Sequence, residues 1–226
     1  MVIADYLARH GIATLRYDDR GKGGSKGDVA NATTLDFAKD AESGIDFLRK
    51  RFKKVGVIGH SEGGTIAFML GEKKKVDFIV SLAGSMMKGE DVLVDQQIHM
   101  SMVLGVKEEV VGLNEKAMRE AIRKTDQPWM KFFIDYDPKD AIMHTTCPVF
   151  ALNGEKDMQV YCKQQIETLK KYLPERKENK IKIYPELNHL FQHCTTGEIS
   201  EYGDIEETIS EEVLVDMTEW VWTVNR

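Results

Sequence analysis

Apolar positions in the first eleven residues recur at helical spacing: Val2, Ile3, Tyr6 and Leu7 share a face, and Gly11 stands where a helix-ending glycine belongs. The pattern predicts an opening helix, then a strand over Ile12-Ala13-Thr14-Leu15-Arg16-Tyr17. A loop rich in glycine and charge follows from Asp18 to Gly27, with Asp19 and Arg20 tying the turn together. Thr33 to Asp36 reads as a capping box with Asp in place of the usual Glu. Leu35, Ala38, Ala41, Ile45, Leu48 and Phe52 then form the apolar stripe of a second helix. Val55-Gly56-Val57-Ile58 is a β-branched run suited to a buried strand, and Thr65 to Leu70 continues as helix after a tight turn. Val76 to Leu82 is a further strand. Strand, helix and strand in this rhythm predict βαβ units in a mostly parallel sheet, an α/β fold with ligand sites at the carboxyl ends of strands.

From Gly84 to about Thr146 the alternation breaks into helical stretches such as Glu115 to Lys124, with many methionines and no convincing strand. The segment is too long for an ordinary connection and is expected to fold as a helical cap over the strand ends. Three segments result: 1–84 and 147–226 as one α/β core, and 85–146 as the insertion. Methionines and the aromatics Trp129, Phe132, Phe133 and Tyr136 suit either an adaptable apolar pocket or plain packing of cap on body. Pro148 to Leu152 and Ile181 to Tyr184 return as strands around a helix whose Ile166, Leu169 and Leu173 face inward. Glu198 to Glu212 holds seven acidic residues and no lysine or arginine, as in an exposed loop and helix entry. Val213, Leu214, Met217, Trp220 and Val221 close the chain as an amphipathic helix.

The 226 residues suffice for one sizeable core, and 42% hydrophobic with 30% charged residues is a globular balance. A net charge of −6, with no basic cluster interleaved with aromatics, gives no reason to expect nucleic acid. Cys147, Cys162 and Cys194 are odd in number, widely spaced and without a CxxC, so neither a metal nor a disulfide framework is expected. A reducing, cytoplasmic setting follows as the default. The first residues lack the uninterrupted apolar run of an export signal, and no stretch approaches the ~20 apolar residues of a membrane span.

The chemistry centres on Gly59-His60-Ser61-Glu62-Gly63, followed by Gly64. Between a strand and a helix, G-x-S-x-G presents its serine on a sharp turn above the sheet edge, and the glycines remove β-carbons where backbone crowds. A serine hydroxyl needs a base, and the base needs a partner that fixes its tautomer. Asp157 follows the strand ending at Leu152 and His189 follows the strand ending at Tyr184, so both stand at the same edge as Ser61. Glu155 competes with Asp157, and His193 with His189. Asp157 lies deeper in the loop begun by Asn153-Gly154, and His189 comes directly off its strand. His60 and Trp129 are the expected substrate-binding side chains. The glycines of Asp18 to Gly27 do not match the order of a phosphate-binding loop.

Four stretches carry a resemblance: Arg16-Tyr17-Asp18-Asp19-Arg20-Gly21, the Gly59 to Gly64 elbow, Leu152-Asn153-Gly154-Glu155-Lys156-Asp157, and Leu187-Asn188-His189. With them the chain resembles α/β-hydrolases of the bacterial serine esterase group, related to the dienelactone hydrolase and S9/S33 peptidase branches. The resemblance implies Ser61 as nucleophile, His189 as base then acid, Asp157 as orienting acid and the Glu62 N–H as an oxyanion donor, without metal or cofactor. It implies hydrolysis of a small carboxylic ester through an acyl-enzyme, with a peptidase, a thioester hydrolase or an impaired scaffold as alternatives. Members begin with further strands, and the loop after the third supplies a second oxyanion N–H. No His-Gly-Gly or Gly-Ser-Gly segment precedes Val2, so the N-terminal strands are expected to be missing, as in a gene product started at an internal methionine. For a complete chain, an open sheet edge of that kind predicts a homodimer or a rearranged sheet.

Overall fold

Four parallel strands run side by side in the order in which they occur: β1 (Val57–His60), β2 (Ile79–Leu82), β3 (Val149–Gly154) and β4 (Lys180–Tyr184). The computed structural model describes residues 2–107 and 114–226. The register sets Gly59 opposite Ser81 and Leu82 opposite Leu152, so the carboxyl ends of the first three strands form one rim. Gly154 lies opposite Tyr184 at the same rim.

Period-two alternation divides the apolar side chains of the sheet between two cores. On one face Ile79, Val149 and Ala151 pack with Phe68, Ile142, Ile166 and Leu169. On the other Val80, Leu82, Phe150 and Leu152 pack with Met217 and Trp220. Phe150 is wholly buried, with the Trp220 ring 5.5 Å from its own.

The helices that flank the sheet are α1 (Val2–Arg9), α2 (Thr34–Arg49) and α3 (Glu62–Glu72). The Asp36 carboxylate of α2 accepts hydrogen bonds from the Thr33 N–H and hydroxyl, each at 3.0 Å, so Asp serves where the capping box more often has Glu. Of the stripe on α2, Ala38, Ala41 and Ile45 are buried, whereas Leu35 and the following Phe52 are exposed. Gly11 ends α1 with a φ of 76°, a left-handed conformation that favours glycine.

Between β2 and β3 lie four described helices, α4 (Gly89–Val103), α5 (Glu115–Ile122), α6 (Pro128–Asp135) and α7 (Lys139–Met143). Helix α4 packs against α5 and α6, while α7 packs on α3 and places Ala141 and Ile142 in the core beneath the sheet. Residues 108–113 of the expected insertion lie outside the described residues. Helix α8 (Cys162–Tyr172) joins β3 to β4, and after a 3₁₀ turn (Ile199–Asp204) the chain closes with α9 (Glu211–Asn225). Val213, Leu214, Met217, Trp220 and Val221 of α9 all face inward. The acidic stretch before α9 is more ordered than a plain exposed loop: the Glu201 carboxylate accepts the N–H groups of Thr195, Thr196 and Gly197 at 2.7, 3.0 and 3.0 Å.

The expected strand over Ile12 to Tyr17 does not form. The segment joins no ladder, and Leu15 and Tyr17 are exposed. A strand exists only where a neighbour takes its backbone hydrogen bonds, and here an apolar cavity of about 790 Å³ separates this segment from the outer edge of β1. Side chains of α1, α2 and α9, among them Ile3, Ile45 and Trp222, line the same cavity. Among the described residues no strand pairs with that edge of β1.

Candidate active site

The elbow is built by close backbone approach. Ser61 has φ 55° and ψ −120°, a strained conformation held because its N–H donates to the Leu82 carbonyl at 2.8 Å and Gly64 N–H bonds back to the Ser61 carbonyl at 2.9 Å. A β-carbon at Gly59 would lie 1.9 Å from the Gly63 carbonyl oxygen, and one at Gly64 would lie 2.6 Å from the Gly84 Cα. Only glycine fits at either place. Ser61 therefore stands between β1 and α3 at the rim, with Glu62 as the first residue of α3. The Glu62 N–H has no acceptor within its own helix, as is general for the first turn.

Asp157 and His189 meet at the same rim. His189 Nδ1 lies 2.8 Å from Asp157 Oδ2, with both side chains almost fully buried. Asp157 Oδ1 accepts the N–H groups of Gln159 and Val160, both at 2.8 Å, and Oδ2 also accepts Asn153 Nδ2 at 3.2 Å. Four donors thus converge on one carboxylate and fix its plane. The turn is possible because β3 ends in Gly154, where a β-carbon would stand 2.2 Å from the Leu187 carbonyl oxygen. This contact brings the Asp157 and His189 loops together.

The rivals are engaged elsewhere. His193 is exposed and pairs with Glu207 at 2.9 Å, and Glu155 points to solvent. No hydrogen bond joins the Ser61 hydroxyl to the His189 imidazole among the described residues. The residue before Ser61 makes the link between the two loops: His60 Nε2 is 2.8 Å from the His189 carbonyl oxygen, and its ring lies 4.6 Å from the His189 ring.

His60 faces the cavity beside β1 rather than the inserted helices. His60 is exposed on that side; desolvation by the neighbouring protein, and next the adjoining His189, lower its pKa from the usual histidine value. Trp129, on α6, stacks on Phe133 with ring centres 5.6 Å apart and donates its indole N–H to Glu62 Oε1 at 2.7 Å. Two further side chains take part, those of Asn153 and Glu62. Asn153 is signalled by its place at a strand end four residues before Asp157, a spacing that lets one side chain reach the other across a loop. The Glu62 side chain carries no such signal, because its partners Thr34 and Trp129 are remote in sequence. Among the described residues no cluster of histidine, cysteine and carboxylate side chains has the form of a metal site.

A parallel sheet with a serine elbow and a His–Asp pair at its carboxyl rim defines an α/β-hydrolase. The fold of a Paleococcus ferrophilus monoacylglycerol lipase superposes with a TM-score of 0.66 at 18% identity, covering 99% of this chain and 88% of that one. That of Est1E from Butyrivibrio proteoclasticus, solved with ferulic acid, gives 0.65 at 18% identity over 98% and 80%. The chain belongs to the hydrolase family described as serine aminopeptidase S33, whose family model matches residues 1–127. It is 29% identical to Esterase EstD of Thermotoga maritima over 231 aligned positions, 93% of this chain, and spans 54% of the length of that relative.

Proposed function

We propose that the protein hydrolyses small carboxylic esters through an acyl-enzyme on Ser61. The observation that carries this reading is the buried His189–Asp157 pair at 2.8 Å, at the same strand rim as a serine on a strained elbow whose preceding residue, His60, contacts His189. Asp157 holds His189 with Nδ1 protonated and Nε2 free to accept. Ser61 Oγ attacks the ester carbonyl while His189 takes its proton, and the Glu62 N–H faces the oxygen that gains charge. His189 returns the proton to the leaving alcohol, then activates the water that releases the acid. Segment 85–146 serves as the cap over this rim, with Trp129 forming part of the acyl-side wall and His60 steadying the His189 loop. The likeness to Esterase EstD supports the ester preference. Turnover of short-chain p-nitrophenyl esters by the protein and by Ser61→Ala tests it; equal rates would remove Ser61 from the mechanism.

The family description favours one second reading, cleavage of peptide amides by the same three residues. Parallel assays with matched oxoester, thioester and amide substrates separate the two. The reading also includes a homodimer through the open edge of β1, tested by light scattering, where a clean monomer at micromolar concentration would exclude it. A cytoplasmic location completes it, tested by fractionation of the native cell. No described helix is long and apolar enough to cross a membrane.

A further inference from the structure

The mechanism above uses the Glu62 backbone and gives its side chain no task. That side chain makes an unusual junction. One oxygen, Oε1, accepts the Thr34 hydroxyl at 2.5 Å and the Trp129 indole N–H at 2.7 Å. Thr34 is the buried first residue of α2, Trp129 belongs to α6 among the inserted helices, and Glu62 itself opens α3 beside Ser61. Body helix, inserted helix and elbow therefore meet at one atom. Both donors are neutral groups on an ionised acceptor, the stronger class of hydrogen bond. The positive end of α3 favours the same charge.

The position has a chemical consequence. Ester attack places negative charge on an oxygen facing the Glu62 N–H, and the Glu62 carboxylate is anionic on the same residue. With the indole seated, two donors draw that charge towards α2 and α6. With α6 displaced, a less compensated anion remains beside the forming oxyanion, and like charge there opposes the transition state.

We propose that Glu62 is a positioning residue that makes the reactivity of Ser61 depend on the seating of α6, with the Trp129 N–H partly screening a charge that otherwise acts against the oxyanion. The inference rests on Ser61 being the nucleophile. It assigns Trp129 an electrostatic task in addition to its place in the pocket wall. It also explains why an acidic residue is tolerated next to the oxyanion site.

A double-mutant cycle tests it. Trp129→Phe keeps an aromatic ring against Phe133 and removes the N–H together with the pyrrole half of the indole, a packing loss common to both backgrounds that the cycle cancels. Its effect on kcat for a p-nitrophenyl ester, and on the rate of Ser61 labelling by a fluorophosphonate, is measured in the Glu62 background and in the Glu62→Gln background. The expected result is a slowing of about tenfold with Glu62 present and less than about threefold after Glu62→Gln, since no charge then needs compensating. The part of the loss that depends on Glu62 falls on kcat, whereas any change in KM from the altered pocket wall is the same in both backgrounds. Equal effects in the two backgrounds, or a loss confined to KM, would overturn the electrostatic role and leave Trp129 as packing. Wild-type protein that is folded yet neither labels nor turns over defeats the Ser61 reading and, with it, the role in reactivity. The contact itself is read separately from acrylamide quenching of Trp129 emission, with Trp129→Phe subtracting the signal of Trp220 and Trp222. Glu62→Leu is expected to increase quenching of Trp129; unchanged quenching would show that the contact does not hold α6.

Discussion

Asp157→Asn is the substitution whose outcome the geometry constrains most tightly. The two backbone N–H groups of Gln159 and Val160 are fixed 2.8 Å from Oδ1, so the single carbonyl oxygen of an asparagine must stay there. Its NH₂ group then replaces Oδ2 and faces His189 Nδ1 and Asn153 Nδ2, formerly at 2.8 and 3.2 Å, placing donor against donor. To avoid one of these conflicts the imidazole shifts its proton to Nε2, where it can no longer accept from Ser61. The magnitude expected is a fall in kcat of ~10⁴, roughly 5 kcal/mol of barrier, as in other triads given the wrong tautomer. The Asn153 conflict adds about 1–3 kcal/mol of lost stability. Ester turnover at neutral pH reads the first and urea unfolding reads the second. A folded Asp157→Asn protein with kcat within tenfold of the parent would refute the reasoning, because His189 would then not depend on Asp157 for its tautomer.

Other outcomes follow from the same structure. Gly59→Ala drives a β-carbon to 1.9 Å from the Gly63 carbonyl, a backbone atom that cannot swing aside, so it is expected to cost at least about 1–3 kcal/mol and abolish Ser61 labelling; retained labelling in urea-stable protein would contradict this. Phe150→Ala empties a wholly buried site against Trp220 and is expected to cost about 3–5 kcal/mol in urea unfolding. Asp36 is held at about 2, chiefly by the Thr33 N–H and then Lys39, and Glu201 at about 2, chiefly by the Thr195 N–H. Folded values lie below unfolded values of about 4, so their stabilisation is fully present above that range and is lost as pH falls towards about 2. Urea midpoints at pH 5, 3 and 2 should decline in that window and decline less in Glu201→Gln; an identical pH slope in that variant would remove Glu201 as a contributor.

The sheet and the helices around it were legible because each strand stands alone as a β-branched run and each helix carries an apolar stripe. Boundaries shifted by up to three residues: the strand expected from Val55 begins at Val57 and that expected from Val76 begins at Ile79, since ladder hydrogen bonds rather than side-chain pattern define their starts. Ile12 to Tyr17 shows what local pattern omits. Its residues favour a strand, but pairing is a property of the neighbour, and an apolar cavity lies where a neighbour would be. The placement of Ser61, Asp157 and His189 at one rim was readable because each follows a strand. The Glu62 junction was not, because it joins positions 34, 62 and 129, which only the tertiary fold brings together.

The most direct measurement on the central claim is fluorophosphonate labelling of the folded protein, with the modified residue located by peptide mass spectrometry, in the wild type and in His189→Ala. The expected result is a single adduct on Ser61 that forms at least about a hundredfold more slowly, or not at all, once the imidazole is removed. An adduct on another residue, or equal labelling of Ser61 in both proteins, would contradict it.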